Sequence, residues 1–425
     1  MLASHMHQRA AVAARGATAQ QFGVRVRTGR AMPARELLAA TAAATAEREA
    51  DLIGGPASVR DSTVLISGGG FSGLAAAVTL VRAGVDTLLV EQGRGLGGRV
   101  CTRRVRGKSF SFDHGLQYFA PKPGSEFASL LAHLDGDGVV ARWAPGRLGG
   151  VSCGADGRLD FSAFVPHDAS KVAFVGVPTM GAVGRHVLSA AAGVAGAGSC
   201  CVAAGTRAAP GSLTRDSDGM WLVDTHPKGD PAAATRTRHR VVLAAGSASS
   251  TFNVIAPVAP QLAAPAGAVR ANACWGLMVA FETPLFGAAQ CVCDGALVSG
   301  SDAVAWFARD SSKPGRDASA ECWVVHAAPE WSNARRSLKA EAAAAELLQA
   351  FMHACGVAAP PAVAYSEAHR WNAAYPLNPA APPDACFADA SLRLAMAGEW
   401  CVGPRAGDAW ASGAAAARAV LRDML

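Results

Sequence analysis

No stretch of eighteen apolar residues free of charge occurs in the 425-residue chain, so a transmembrane helix is not expected. No C-x-x-C occurs among its eleven cysteines. Cys291-Val-Cys293 and Cys200-Cys201 are the only close pairs, and neither has a partner pair at zinc spacing. No metal site is therefore expected, and the thiols read as free and mostly buried, with a redox pair at Cys291 and Cys293 as the alternative. No Ser-His-Asp or Walker pattern stands out, and no internal repeat is evident. Charge is scarce: 17% of residues are charged against 51% hydrophobic, which leaves ample material for a core.

Residues 1–35 lack Asp and Glu altogether but hold six arginines. Subtracting six from the 39 basic residues leaves 33, equal to the 33 acidic ones, so the net charge of +6 sits in this leader. The body is close to neutral, which argues against a nucleic-acid surface. The leader also lacks the continuous apolar core of a secretory signal. Arg-rich, acid-free and rich in Ala, Ser and Thr, it reads as an organelle transit peptide. A chloroplast is the expected address, with mitochondrion or cytoplasm as alternatives. Residues 36–51 have helix propensity, and Gly54-Gly55-Pro56 ends that stretch.

What is present is concentrated between Thr63 and Arg99. Val64 to Ile66 reads as a buried parallel strand. Gly68, Gly70 and Gly73 follow as G-x-G-x-x-G: a tight turn, a close approach for a pyrophosphate, and close packing of helix on strand. Leu74 to Val81 suits a helix buried on a sheet, its N-terminus favouring phosphate. Thr87 to Val90 is the next strand, and Glu91 ends it 18 residues after Gly73, where an acid meets the ribose of an adenosine. Strand, helix and acid all stand at the offsets of a dinucleotide-binding unit. Gly97-Gly98-Arg99 adds a second close backbone approach and a basic group, which simple nicotinamide domains rarely need.

Further along, Thr179 caps an expected helix, and RVVLAAG (240–246) reads as a buried strand ending in a serine-rich loop. CWGLMVAFE (274–282), AVAWFA (303–308) and CWVVH (322–326) suggest an antiparallel sheet lining a pocket. The expected class is α/β: a two-lobed flavoprotein with a Rossmann-type FAD-binding domain and a mixed or antiparallel-sheet substrate domain. Residues 1–60 are assigned to leader and linker. Residues 61–125, 177–255 and 390–425 are assigned to the FAD domain, and 126–176 and 256–389 to the substrate domain.

The pairing of GGGFSG (68–73), Glu91 and GLGGR (95–99) is similar to the FAD-binding opening of amine-oxidase-type flavoproteins. AGEWCVGPR (397–405) with DAWASG (408–413) is similar to their closing flavin motif, with Glu399 where Asp is usual. FDHGLQYF (112–119), WFARDSSKPGR (306–316), WVVHAAPEWS (323–332) and HRW (369–371) resemble renalase and its relatives. The resemblance implies non-covalent FAD, oxidation of dihydro-isomers of NAD(P)H by hydride transfer to flavin N5, and O2 as acceptor giving H2O2. A flavin amine oxidase, a plastid isoprenoid desaturase and a non-catalytic flavin-binding protein are the alternatives.

Cofactor contacts are expected from Gly68, Gly70, Phe71, Ser72, Gly73, Glu91, Gly98, Arg99, Gln117, Gly398, Glu399, Ala409 and Trp410. Tyr118, Trp371 and His326 are the candidates against a small-molecule substrate. His114 reads more readily as structural. Lys313 reads as a solvated turn residue or, with Arg316, as a partner for a substrate phosphate.

Overall fold

The apolar runs after Asp61 assemble first. In the computed structural model, strand β1 (Ser62–Ser67), helix α1 (Phe71–Arg82) and strand β2 (Thr87–Glu91) form a β-α-β unit with parallel strands. Residues 53–54, 58–143, 145–168, 170–286 and 293–425 are described; the leader and Cys291 lie outside them. Val64, Leu65 and Ile66 are fully buried, because helices cover both faces of a parallel sheet. A ten-stranded sheet grows around this unit. Strand Cys200–Ala204 pairs with β2, and β3 (Thr235–Ala244) pairs with β1, both parallel. Trp221–Pro227 then joins β3 antiparallel, and Leu394–Met396 runs parallel to its C-terminal end.

Helix α2 (Ala248–Ile255) follows β3 and is capped by Ser247. In a seven-stranded sheet β4 (Ala271–Phe281) stands second from one edge and pairs antiparallel with both β5 (Glu321–Ala327) and the edge strand β6 (Val363–Pro376). One face of this sheet is covered by helix Ala340–Ala354. The chain then returns to the first sheet through Leu394–Met396 and closes with α3 (Ala406–Asp423).

Small residues set the closest approaches. A Cβ at Gly413 of α3 would overlap the backbone carbonyl of Ser72, so the closing helix crosses α1 in main-chain contact. Around that crossing Phe71 packs against Phe119 (5.4 Å), Phe127 and Trp410 (both 6.2 Å). Phe127 stands on helix Glu126–Gly136, so that helix shares the core of α1 and the first sheet.

The FDHGLQYF segment is held by buried charge. Asp113 accepts from Arg316 Nη2 (2.5 Å), Thr102 Oγ1 (2.6 Å), the Met180 N–H (3.2 Å) and Lys313 Nζ (3.4 Å). Lys313 Nζ also donates to Asp310 Oδ1 (2.5 Å) and Gln117 Oε1 (3.3 Å), and lies 5.0 Å from the Trp143 ring. Lys313 is therefore neither a solvated turn residue nor open to a phosphate. Its side chain is fully buried, and beside Asp310, three residues before it, its partners Asp113 and Gln117 stand some 200 residues away in sequence. The same network corrects the expected threonine cap. Thr179 occupies the N-cap of helix Met180–Ala192 without a side-chain cap bond, and Asp113 and Thr102 receive the Met180 and Gly181 N–H groups instead.

Candidate active site

A cleft of about 860 Å3 runs over the C-terminal ends of β1, β2 and β3 and reaches Cys274, His326 and Trp371 of the second sheet. Its floor is made where strand ends meet. Gly68 has φ of +113°, and a Cβ there would stand 2.9 Å from the Ala245 carbonyl oxygen and 3.1 Å from the Gly246 nitrogen. A Cβ at Gly398 would in turn stand 3.0 Å from the Gly246 carbonyl. The turns after β1, β3 and Leu394–Met396 thus abut at the point where strand order reverses, the usual ligand crevice of such sheets.

Gly68, Gly70, Phe71 and Ser72 line the cleft at the N-terminus of α1. Nothing lies within 4 Å of a Cβ built on Gly70. The Ser72 hydroxyl is buried without a hydrogen-bond partner. Gly73 stands behind them, packed on the Gly68 carbonyl. The second glycine turn docks on the first: the Gly97 N–H donates to the Gly69 carbonyl (2.8 Å), and a Cβ at Gly98 would reach the Gly70 Cα at 3.1 Å. Glu91 ties the two together, accepting from the Gly69 N–H at 2.7 Å and the Gly93 N–H at 2.6 Å. Burial pushes its carboxyl above the usual range against the pull of those two bonds.

Arg99 and Glu399 also line the cleft, and they are each other's partners at 2.6 Å. Arg99 Nη1 donates to the carbonyls of Ala373 (3.1 Å) and Ala374 (2.9 Å) at the end of β6. The arginine therefore joins the glycine turn, the closing motif and the second sheet. Arg99→Ala is expected to cost about 2 kcal/mol, a buried-pair loss reduced because the arginine is 31% exposed. Arg99→Lys, which keeps the charge without the planar fork, should fall between. Urea unfolding midpoints of the two variants check both.

At the far end His326 and Trp371 converge on one acceptor. The His114 carbonyl receives Trp371 Nε1–H (3.2 Å) and His326 Nε2 (3.2 Å). Because a carbonyl only accepts, His326 carries its proton on Nε2. The His114 ring stacks on Trp371 at 5.2 Å, and His369 meets Trp371 edge-on at 4.5 Å. Burial holds His326 down to about 4 and, with His369 and Arg103 nearby, His114 down to about 3. The Cys274 thiol is pushed up to about 12 by burial. This wall is neutral throughout the physiological range.

Gln117, Tyr118 and Trp410 stand outside the cleft lining. Gln117 donates to the carbonyls of Asp113 and Gly115 and accepts from Lys313, so its amide is fully engaged in the buried network. The Tyr118 hydroxyl meets His167 Nε2 at 3.3 Å, and its ring packs against Trp306 at 5.7 Å. Trp410 belongs to the aromatic cluster around Phe71, while its neighbour Ala409 lines the cleft. The Gly398 N–H is engaged by Ser412 Oγ (3.0 Å). The wall from Gly246 to Thr251 lies beyond the expected cofactor contacts, although a strand ending in glycine and serines marks it.

The low histidine values carry a stability consequence. His114, His326 and, for the same reason of burial, His239 at about 4 stay neutral in the fold, whereas an unfolded chain protonates them near 6.5. Unfolding then takes up protons, so stability is complete above about pH 6.5 and falls as the pH drops toward 4. Denaturant unfolding at pH 7, 5.5 and 4.5 should show this decline.

Residues 66–134 match the family model of an NAD(P)-binding Rossmann-like domain. Among solved structures the chain is similar to a protein from Exiguobacterium sp. 255-15 named as a protoporphyrinogen oxidase. The identity is 12% and the TM-score 0.60, over 85% of this chain and 99% of that one. It is also similar to wild-type putrescine oxidase bound to putrescine, at 12% identity and TM-score 0.58 over the same shares. The chain thus shares the fold of these two oxidase structures and opens with a Rossmann-like unit.

Proposed function

We propose that the protein is an FAD-dependent oxidase acting on aberrant dihydro-isomers of NAD(P)H. The residues fit the cofactor. Gly70 leaves an open cradle, Ser72 offers a buried unpaired hydroxyl at a helix N-terminus, and Glu91 ends the adjoining strand. Gly68, Gly70, Ser72, Glu91, Gly98, Glu399 and Ala409 would hold it along the cleft. When bound, FAD supplies the hydride-accepting ring and the return of electrons to O2, giving H2O2.

The observation that carries the substrate reading is the neutral wall of His326, Trp371 and Cys274 at the second-sheet end. Loss of hydride from a dihydropyridine leaves an aromatic cation and needs no protein base. The protein's task is to stack a flat ring and exclude water. His326, fixed with its proton on Nε2, keeps Nδ1 as an acceptor, and Trp371 offers an apolar face. The FDHGLQYF and WVVHAAPEWS blocks point to the same substrate by their resemblance to renalases.

The test is spectroscopic. The purified protein should show flavin absorption, and anaerobic mixing with the 2- or 6-dihydro isomers of NAD(P) should bleach it. Bleaching by simple amines alone would replace this reading with amine oxidation. A colourless protein that takes up no FAD would end it.

A further inference from the structure

We infer that Thr251, on the N-terminal half of α2, is a second anchor for the diphosphate of the dinucleotide, facing the one at α1. The inference rests on the FAD reading above. Three arginines line the cleft, Arg99, Arg207 and Arg405, and Arg99 belongs to the second glycine turn. Arg99 is engaged by Glu399 and by the Ala373 and Ala374 carbonyls. With Arg99 so engaged, N–H groups, helix ends and hydroxyls at the glycine turns are suited to share the diphosphate charge.

Three helix N-termini border this crevice: α1 with Ser72, α3 with Ala406 and Ala409, and α2, whose Ser247, Ser249, Ser250 and Thr251 line the cleft. The turns before α1 and α2 are in contact through Gly68 and Gly246. In α2 the nearby hydroxyls are engaged locally: Ser247 Oγ accepts from the Ser250 N–H, and Ser250 Oγ donates to the Ser247 carbonyl. Thr251 differs. It is 1% exposed, and its Oγ1 has no hydrogen-bond partner. That oxygen lies beside Gly246, 3.8 Å from where a Cβ would stand, and Gly246 itself abuts Gly68. A buried hydroxyl without a partner is costly to keep unless something completes it. Ser72 is the matching case on the opposite helix. The two orphan hydroxyls on two helices that meet at one crevice suit the two phosphates of one diphosphate.

The experiment titrates FAD, and separately ADP, into full-length protein stripped of cofactor, for the wild type, Thr251→Val and Thr251→Ser. The valine variant should bind both ligands about tenfold more weakly, the loss of one charge-assisted hydrogen bond. The serine variant should stay within about twofold of wild type. Thermal stability of the ligand-free valine variant should equal or exceed that of wild type, which a merely structural hydroxyl would not allow. Wild-type affinity in Thr251→Val, or weakening for FAD but not for ADP, overturns the inference. If the wild type binds ADP and not FAD, and Thr251→Val weakens ADP, the FAD reading falls and the diphosphate anchor stands. If the wild type binds neither, both fall.

Discussion

Asp113→Ala is expected to lower the unfolding free energy by about 3–5 kcal/mol, the range for removing one partner from a buried ion pair. The physical reason is the balance of charge around it. Asp113 and Asp310 face Lys313 and Arg316, with side chains from 0% to 3% exposed. Burial alone would raise the Asp113 carboxyl, but Lys313 and Arg316 together hold it below its usual value. Burial pushes the Asp310 carboxyl up, so Asp113 is the more readily ionised of the two. Removing that carboxylate leaves Arg316 with carbonyl acceptors only and strands the Thr102 hydroxyl and the Met180 N–H. Asp113→Asn keeps the volume and some acceptors and should cost less than alanine, yet remain clearly destabilised. Urea unfolding of both variants, with the Asp113→Ala/Arg316→Ala double variant, measures the coupling between the two side chains. Additive costs would show that the pair contributes nothing of its own.

That network shows where the sequence could be read and where it could not. The strand, turn, helix and acid from Thr63 to Glu91 are local in sequence and recur as local structure, because Gly73 answers a contact within a few residues and Gly68 one at the adjoining strand end. Arg99 and Glu399 were legible as cleft residues, but not as each other's partners across 300 positions. Gln117, Tyr118 and Trp410 sit in or beside motifs that do reach the cleft. Neighbourhood in sequence does not say which way a side chain points, and Ala409 faces the cleft while Trp410 turns into the core. Lys313 misled for a related reason. A Ser-Ser-Lys-Pro-Gly turn has the composition of a solvated loop, and it takes Asp310 together with the distant Asp113 and Gln117 to make its burial tolerable. Gly246 and Thr251 became meaningful only when β3 was seen to end against Gly68.

Gly70 and Gly73 should separate folding from binding within one motif. At Gly73 a Cβ would overlap the Gly68 carbonyl oxygen and come within 3.5 Å of Ile66 Cγ2. The clash is with main chain, so the phosphate turn itself must move, and with it the contact of Gly68 on Ala245. Gly73→Ala is expected to cost about 2–3 kcal/mol, in the range for overpacking a close-packed interior, and to abolish cofactor retention. Gly70 is the opposite case. Its backbone is extended, at φ −71° and ψ −179°, and a Cβ there meets nothing within 4 Å. Gly70→Ala should therefore fold with stability within about 0.5 kcal/mol of wild type. Its methyl group projects into the cleft where the diphosphate of the proposed FAD would approach the backbone, so FAD affinity should fall by at least about tenfold. Thermal unfolding of the ligand-free proteins and FAD titration of each distinguish the two substitutions. Equal loss of stability in both would mean that the open space at Gly70 serves the fold rather than a ligand. Unchanged FAD binding in Gly70→Ala would place the diphosphate elsewhere in the cleft.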